Sequence, residues 1–259
     1  MLAKLYAVNP WIAYGVPMLA ILAAAELGRF VGVARRRHCG ASMSAEITTL
    51  QASMLALLAL LIGFTFSMAL TLFEARRQAV LDEANAIRAI ALRARLLPEP
   101  YASEVRKLLR EYIQRRIDVL RDPQDQVSIE AATRRSDDLQ AQLWQQAVEI
   151  NATDPRVNIV LFVQPLNQAI DLQETRLFAA RNRVPGALFL LLYAVAAVAV
   201  GFSGFAVGLE GKQGRIPTAL LGVLVASVIG LIADIDRPRS GFITVSQQPI
   251  LDVQASLAT

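Results

Sequence analysis

Residues 47–73 read ITTLQASMLALLALLIGFTFSMALTLF, 27 positions without a charge, and Glu74 closes the run. A bilayer core of about 30 Å takes roughly 20 apolar residues of helix, so this stretch can cross a membrane with residues to spare. Three more charge-free runs flank it in sequence: Leu5–Ala25 with 21 residues, Val184–Leu209 with 26 and Ile216–Ala233 with 18. The four runs hold 92 of the 259 residues, and all 48 charged side chains fall in the other 167. The mean values, 54% hydrophobic residues and a mean hydropathy of +0.41, average over that partition. The fold class that follows is an all-α integral membrane protein with four transmembrane helices and a helical extramembrane region between the second and third spans.

The first run also has the outline of a signal peptide, since Lys4 precedes it and Ala23-Ala24-Ala25 ends it. A single leading charge, the interruptions at Pro10 and Pro17 and the basic residues that follow favour a retained span. The chain then divides into a first transmembrane pair with a short basic loop (1–73), a helical extramembrane region (74–183), a second pair (184–235) and a short tail (236–259). The long polar segment Glu74–Arg183 carries 17 Lys and Arg against 16 Asp and Glu.

From about Ala45 to Leu97 there is no proline and one glycine, so a single helix is expected to leave the membrane and continue. Three amphipathic helices follow. The apolar stripe of the first is Tyr101, Val105, Leu108, Tyr112, Ile113 and Ile117. In the second, at about Ile129–Ile150, it is Leu139, Leu143, Ala147 and Ile150. The third is expected to open at Asp154-Pro155, to kink at Pro165 and to bury Ile159, Val163, Leu166, Ile170 and Leu177.

Whole classes of function drop out. Cys39 and His38 are the only Cys and His, so there is no intrachain disulfide, no thiolate cluster and no multi-histidine metal site. No GxSxG, HExxH, CxxC or phosphate-cradling glycine loop occurs, and no catalytic residue, metal or cofactor is assigned. The formal charge of +4 is not gathered on a basic face, so the partners expected are the lipid bilayer and small inorganic ions rather than nucleic acid.

Within 47–73, Ala56, Leu60 and Phe64 repeat at four-residue steps and stack on one helix face. Ala59, Gly63 and Ser67 form a neighbouring small-residue stripe, and Thr65, Ser67 and Thr71 bring hydroxyls toward the exit. This face reads either as helix packing or as a pore wall, where an apolar stack gates by dewetting and hydroxyls replace part of an ion's hydration. Beyond it come Glu74, Arg76, Arg77, Glu83 and Asn85, which fit a headgroup-binding collar or a charged ring outside a pore. The two arginines would favour anions; Asp82 and Glu83 would favour cations. The last span stops at Asp234, Asp236, Arg237 and Pro238, read as an ion-paired helix stop or as carboxylates for a hard cation. Orientation is balanced: the short loops hold concentrated positive charge, and the opposite side holds more of it, spread thinly.

Ile62-Gly63-Phe64-Thr65-Phe66-Ser67-Met68-Ala69, with Phe73-Glu74-Ala75-Arg76-Arg77 and Glu83-Ala84-Asn85-Ala86-Ile87, resembles the bacterial bestrophin-like family. Asp234-Ile235-Asp236-Arg237-Pro238-Arg239-Ser240-Gly241, running into Val245-Ser246-Gln247-Gln248-Pro249, resembles it too. The resemblance implies distant kinship to bestrophin anion channels, which are homopentamers with four spans per subunit. It implies a neck lined by the second span, with Gly63-Phe64 matching the family's Gly-Phe pair and Ala56 smaller than the pattern. It also implies a cytosolic long segment, in a multi-pass protein of the bacterial inner membrane. The acidic run of the calcium clasp found after the last span in eukaryotic bestrophins is missing here. The function this implies is an anion-conducting channel formed by a homo-oligomer; the alternative is a membrane sensor or scaffold whose helical region binds a partner.

Overall fold

The computed structural model describes residues 10–36, 41–121, 126–153, 159–211, 214–237 and 241–258. Among them every regular element is a helix: α1 Pro10–Arg35, α2 Ala41–Ala94, α3 Tyr101–Arg121, α4 Gln126–Thr153, α5 Val160–Arg181, α6 Gly186–Glu210, α7 Arg215–Ile235 and α8 Gln248–Ala258. Four helical stretches are long and apolar enough to cross a membrane, and the chain is an all-α integral membrane protein. The chain forms two compact units, one of residues 1–71, 183–237 and 241–243, the other of 72–182, 238–240 and 244–259.

The membrane unit is built around α1, α6 and α7, with the first part of α2. Its core gathers Ile21 and Ala25 of α1, Leu58 of α2, Leu192, Ala196 and Val200 of α6, and Val225 and Ile229 of α7. The helix α1 runs ten residues past the end of the charge-free stretch at Ala25. It can do so because Glu26 accepts hydrogen bonds from Arg29 (3.0 Å) and Arg215 (2.8 Å), and because glycines seat it on α6. A Cβ on Gly28 would stand 1.8 Å from the Gly201 carbonyl oxygen, and one on Gly204 would stand 2.1 Å from that of Ala25. The two backbones are in direct contact, the close approach that small residues permit between membrane helices. Hydroxyls inside the spans donate to carbonyls one turn back, Thr65 to Leu61 at 2.7 Å and Ser203 to Ala199 at 2.9 Å, which satisfies both donors in an apolar medium. Gly211 ends α6 at φ 67°, donating its N–H to the Val207 carbonyl, the left-handed stop that glycine adopts without strain.

The second unit is a bundle of the distal part of α2 with α3, α4, α5 and α8. The expected stripes on α3 and α4 are the ones that pack: Val105, Leu108, Tyr112, Ile113 and Ile117, and Leu139, Leu143, Ala147 and Ile150, are all buried. On α5 Ile159 and Leu166 of the expected stripe are buried and Val163 and Ile170 pack against the core, but the buried face is centred elsewhere. Phe162, Leu166, Ala169 and Gln173 face inward, while Val163 and Ile170 are only half-buried, because a glutamine takes a central position that apolar patterning does not mark. Asp154 and Pro155 lie outside the described residues.

The helix α5 runs unbroken through Pro165. The proline removes the donor that the Leu161 carbonyl would otherwise receive, and Arg93 of α2 supplies one instead, its guanidinium 2.7 Å from that oxygen. The tail adds α8, an element without a sequence signal of its own, whose Ile250 and Val253 enter the core. Its Gln254 donates to Gln114 at 3.0 Å.

Candidate functional site

In the membrane unit α2 has two faces. Leu58, Thr65 and Ala69 are buried against its neighbours. Ala56, Leu60, Phe64, Ser67 and Thr71 all lie on the exposed side, Leu60 at 54% and Phe64 at 67% of their full surface. Nothing stands within 4 Å of a Cβ built on Gly63. The five residues thus share one unoccupied face, an apolar ladder that passes into two hydroxyls. Thr71 donates to the Ser67 carbonyl at 2.9 Å, which keeps that end of the face polar without a charge.

The charges that follow separate into two groups. Glu74 and Arg77 pair at 3.3 Å on the surface, and Asn85 is exposed. Arg76 instead is 5% exposed; its Nε donates to the Ala179 carbonyl at 3.2 Å and its Nη2 to that of Asn182 at 2.7 Å. It caps the last turn of α5, where unpaired carbonyls and the helix dipole favour a cation.

Glu83 has no exposed surface and lies at the centre of a buried polar cluster. Arg116 of α3 approaches it at 2.7 Å, and Arg176 of α5 forms a short second ion pair. Tyr112 donates its hydroxyl to the same carboxylate at 3.2 Å. Gln140 of α4 reaches both the Tyr112 hydroxyl and the Gln173 carbonyl oxygen at 3.2 Å, Gln173 donates to Asp137, and Arg176 also reaches Gln247 at 2.8 Å. Burial pushes the Glu83 carboxyl up, but the two guanidinium groups outweigh it and hold the group below the usual carboxylate range. Burial, reinforced by the Glu83 charge, pushes the Tyr112 hydroxyl far above its ordinary value and keeps it a donor. Side chains of α3 and α5 therefore meet on one carboxylate of α2, and Gln140 of α4 and Gln247 before α8 join through those partners.

The partners of Glu83 carried one sequence signal. Arg116 falls four residues after Tyr112, on the apolar stripe of α3, and a charge on such a stripe asks for a buried partner of opposite sign.

At the end of the last span the two aspartates act as acceptors. Asp234, 2% exposed, receives the Tyr14 hydroxyl and the backbone N–H groups of Phe242 and Ile243 at 2.9 and 2.8 Å. Asp236 receives the N–H of Val184 at 2.9 Å. The Arg237 guanidinium lies 5.6 Å from the centre of the Tyr14 ring, close enough for a cation–π contact. Hydrogen-bond donors surround Asp234, an arrangement that stops the helix and folds the chain back and gives a cation nothing to share. Among the described residues no three His, Cys, Asp or Glu gather as a metal site, and Pro238 lies outside them.

The bestrophin-like domain model matches residues 19–250. A crystal structure of a point variant of a bacterial bestrophin homolog from Klebsiella pneumoniae is similar at a TM-score of 0.67 and 15% identity, over 93% of this chain and 99% of that one. The structure of that homolog by zinc phasing is similar at 0.67 and 14%, over 93% and 97%. A further variant is similar at 0.69 and 12%, over 93% and 96%. No curated protein matches the chain.

Proposed function

The chain belongs to the bestrophin-like family, and from that premise we propose that it is an ion channel conducting anions through the axis of a homo-oligomer, a pentamer by family likeness. The observation that carries the reading is the unoccupied face of α2, with Leu60 and Phe64 exposed and open space at Gly63. Ser67 and Thr71 continue the line of Phe64 with hydroxyl oxygens, Thr71 donating its proton to the Ser67 carbonyl. Around a symmetry axis the same order makes a dewetting constriction followed by groups that solvate an ion. Glu74, Arg77 and Asn85, exposed further along α2, are then the polar side chains of the pore exit, while Arg76 and Glu83 hold the bundle together.

Reconstituted in liposomes, the protein is expected to pass halide. Phe64→Ala is expected to raise the flux on the order of tenfold, the equivalent of about 1.4 kcal/mol off the barrier. Mass measured in detergent on the same sample should give an oligomer. Oligomers that stay impermeable to anions and cations across voltage and pH would leave the sensor or scaffold reading in place of conduction. A monomer would remove the axis altogether.

The helical region 74–183 is assigned to the cytoplasm of a bacterial inner-membrane protein. In that orientation Cys39, in the first loop, faces outward and should react in intact cells with a membrane-impermeant thiol reagent. Labelling seen only after the membrane is opened reverses the assignment.

A further inference from the structure

Beside the α2 face, the membrane unit contains a second feature that conduction does not use, a cleft of about 210 Å³ between α1, α6 and α7. Small residues line it: Ala25 and Gly204, where α1 and α6 touch, form its floor, Ala219 of α7 leaves the space open, and Leu22 lines its wall. Its polar edge is Glu26 with Arg29 and Arg215. Glu26 occupies Arg29 through Nε and Nη2, both at 3.0 Å, but takes only Nε of Arg215, at 2.8 Å. The two terminal amino groups of Arg215 have no partner among the described residues, and its side chain is 69% exposed. Two cations against one anion leave the edge with a net charge of +1.

The placement along the helices is ordered. Arg215 begins α7 and Thr218 and Ala219 lie one turn further in, while Arg29 comes six residues before the end of α1. The charged edge is therefore at headgroup level and the apolar wall is turned toward the hydrocarbon. The start of α7 adds the positive end of a helix dipole at the same edge. An apolar cleft that opens among acyl chains and carries a surplus guanidinium at its polar end matches an amphiphile with a negative head. We propose that this cleft binds an anionic phospholipid, its phosphate on the terminal amino groups of Arg215 and part of an acyl chain along Leu22, Ala25 and Ala219.

The test offers delipidated full-length protein equal amounts of dioleoyl phosphatidylglycerol and dioleoyl phosphatidylcholine and counts retained lipid by native mass spectrometry. The wild type should prefer the anionic lipid by about tenfold, the scale of one charge-assisted contact. Arg215→Gln should bring the ratio near unity, and Ala219→Leu, which fills the wedge, should lower retention of both lipids. Glu26→Gln frees Arg29 as well and should raise the preference above wild type, a change in the opposite sense from any loss of folding. A wild-type ratio near one, or an unchanged ratio in Arg215→Gln or Glu26→Gln, overturns the proposal. So does glycerol phosphate that displaces the lipid at equal concentration, which would make this a site for soluble phosphates.

Discussion

Glu83→Ala is expected to unfold the helical bundle of residues 72–182. The carboxylate has no exposed surface, and its two partners, Arg116 and Arg176, have side chains 7% and 17% exposed. Removing it leaves two cations in the core without a counter-charge in contact, Arg176 keeping only the neutral Gln247 carbonyl at 2.8 Å. Breaking a buried pair from one side costs about 3–5 kcal/mol, and here a single change breaks two. A domain holds only about 5–15 kcal/mol of stability in all, so the variant should lose its thermal transition or melt far below wild type in detergent. Replacing all three, Glu83→Leu with Arg116→Met and Arg176→Met, should recover much of the loss, because an apolar set of similar volume avoids burying charge. A melting temperature for Glu83→Ala within a degree or two of wild type would falsify this account.

The pH dependence has a definite sign. Since the native carboxyl is held below its ordinary range, its contribution is complete above the unfolded pKa and is lost as pH falls through the native one. The gap in melting temperature between wild type and Glu83→Gln should therefore be widest near neutrality and close in acid. A gap that widens as the pH is lowered would contradict the assignment.

Gly204→Leu should be nearly as damaging, for a steric reason. Even a methyl at this position would overlap the Ala25 carbonyl, at 2.1 Å, and the obstacle is backbone, which cannot swing aside as a side chain can. Overpacking of a core costs about 1–3 kcal/mol when side chains can shift; here α1 and α6 must separate, so a loss of about 3 kcal/mol or more is expected. The measurement is the yield and melting temperature of the detergent-extracted oligomer. Gly63→Ala is the control, because open space surrounds that position within the chain; it should leave the stability of the subunit alone. Equal melting temperatures for Gly204→Leu and wild type would show that the two helices do not meet there.

The sequence was informative where a physical rule acts along the chain. Charge cannot sit unpaired in hydrocarbon, so the uncharged runs mark the spans, and a helix face that packs must repeat every three or four residues, so Val105 to Ile117 and Leu139 to Ile150 were readable. What escaped depends on pairs far apart in sequence. Glu26, inside a helix that continues to Arg35, has Arg29 one turn on, but its second partner, Arg215, comes from 189 residues away. Gly28 looks incidental until Gly201 is known to face it. Arg76 and Glu83 read as surface charges near a pore exit, and their burial follows from carbonyls at 179 and 182 and from arginines at 116 and 176. The burial of Gln173 on α5 was not readable because its partners, Tyr112 and Gln140, come from two other helices.

The glycine contact between α1 and α6 also constrains the order in which the protein can be made. Gly28 and Gly204 are 176 residues apart, and a ribosome adding about 5–20 residues per second needs roughly 9–35 s to cover that distance. Throughout that interval the first span is synthesised without its partner, its bare backbone stripe turned to lipid, while the second span and the whole polar segment emerge. A newly made chain thus passes through a half-inserted stage that exposes a seam built for close helix contact, and during that stage it is open to the wrong partner.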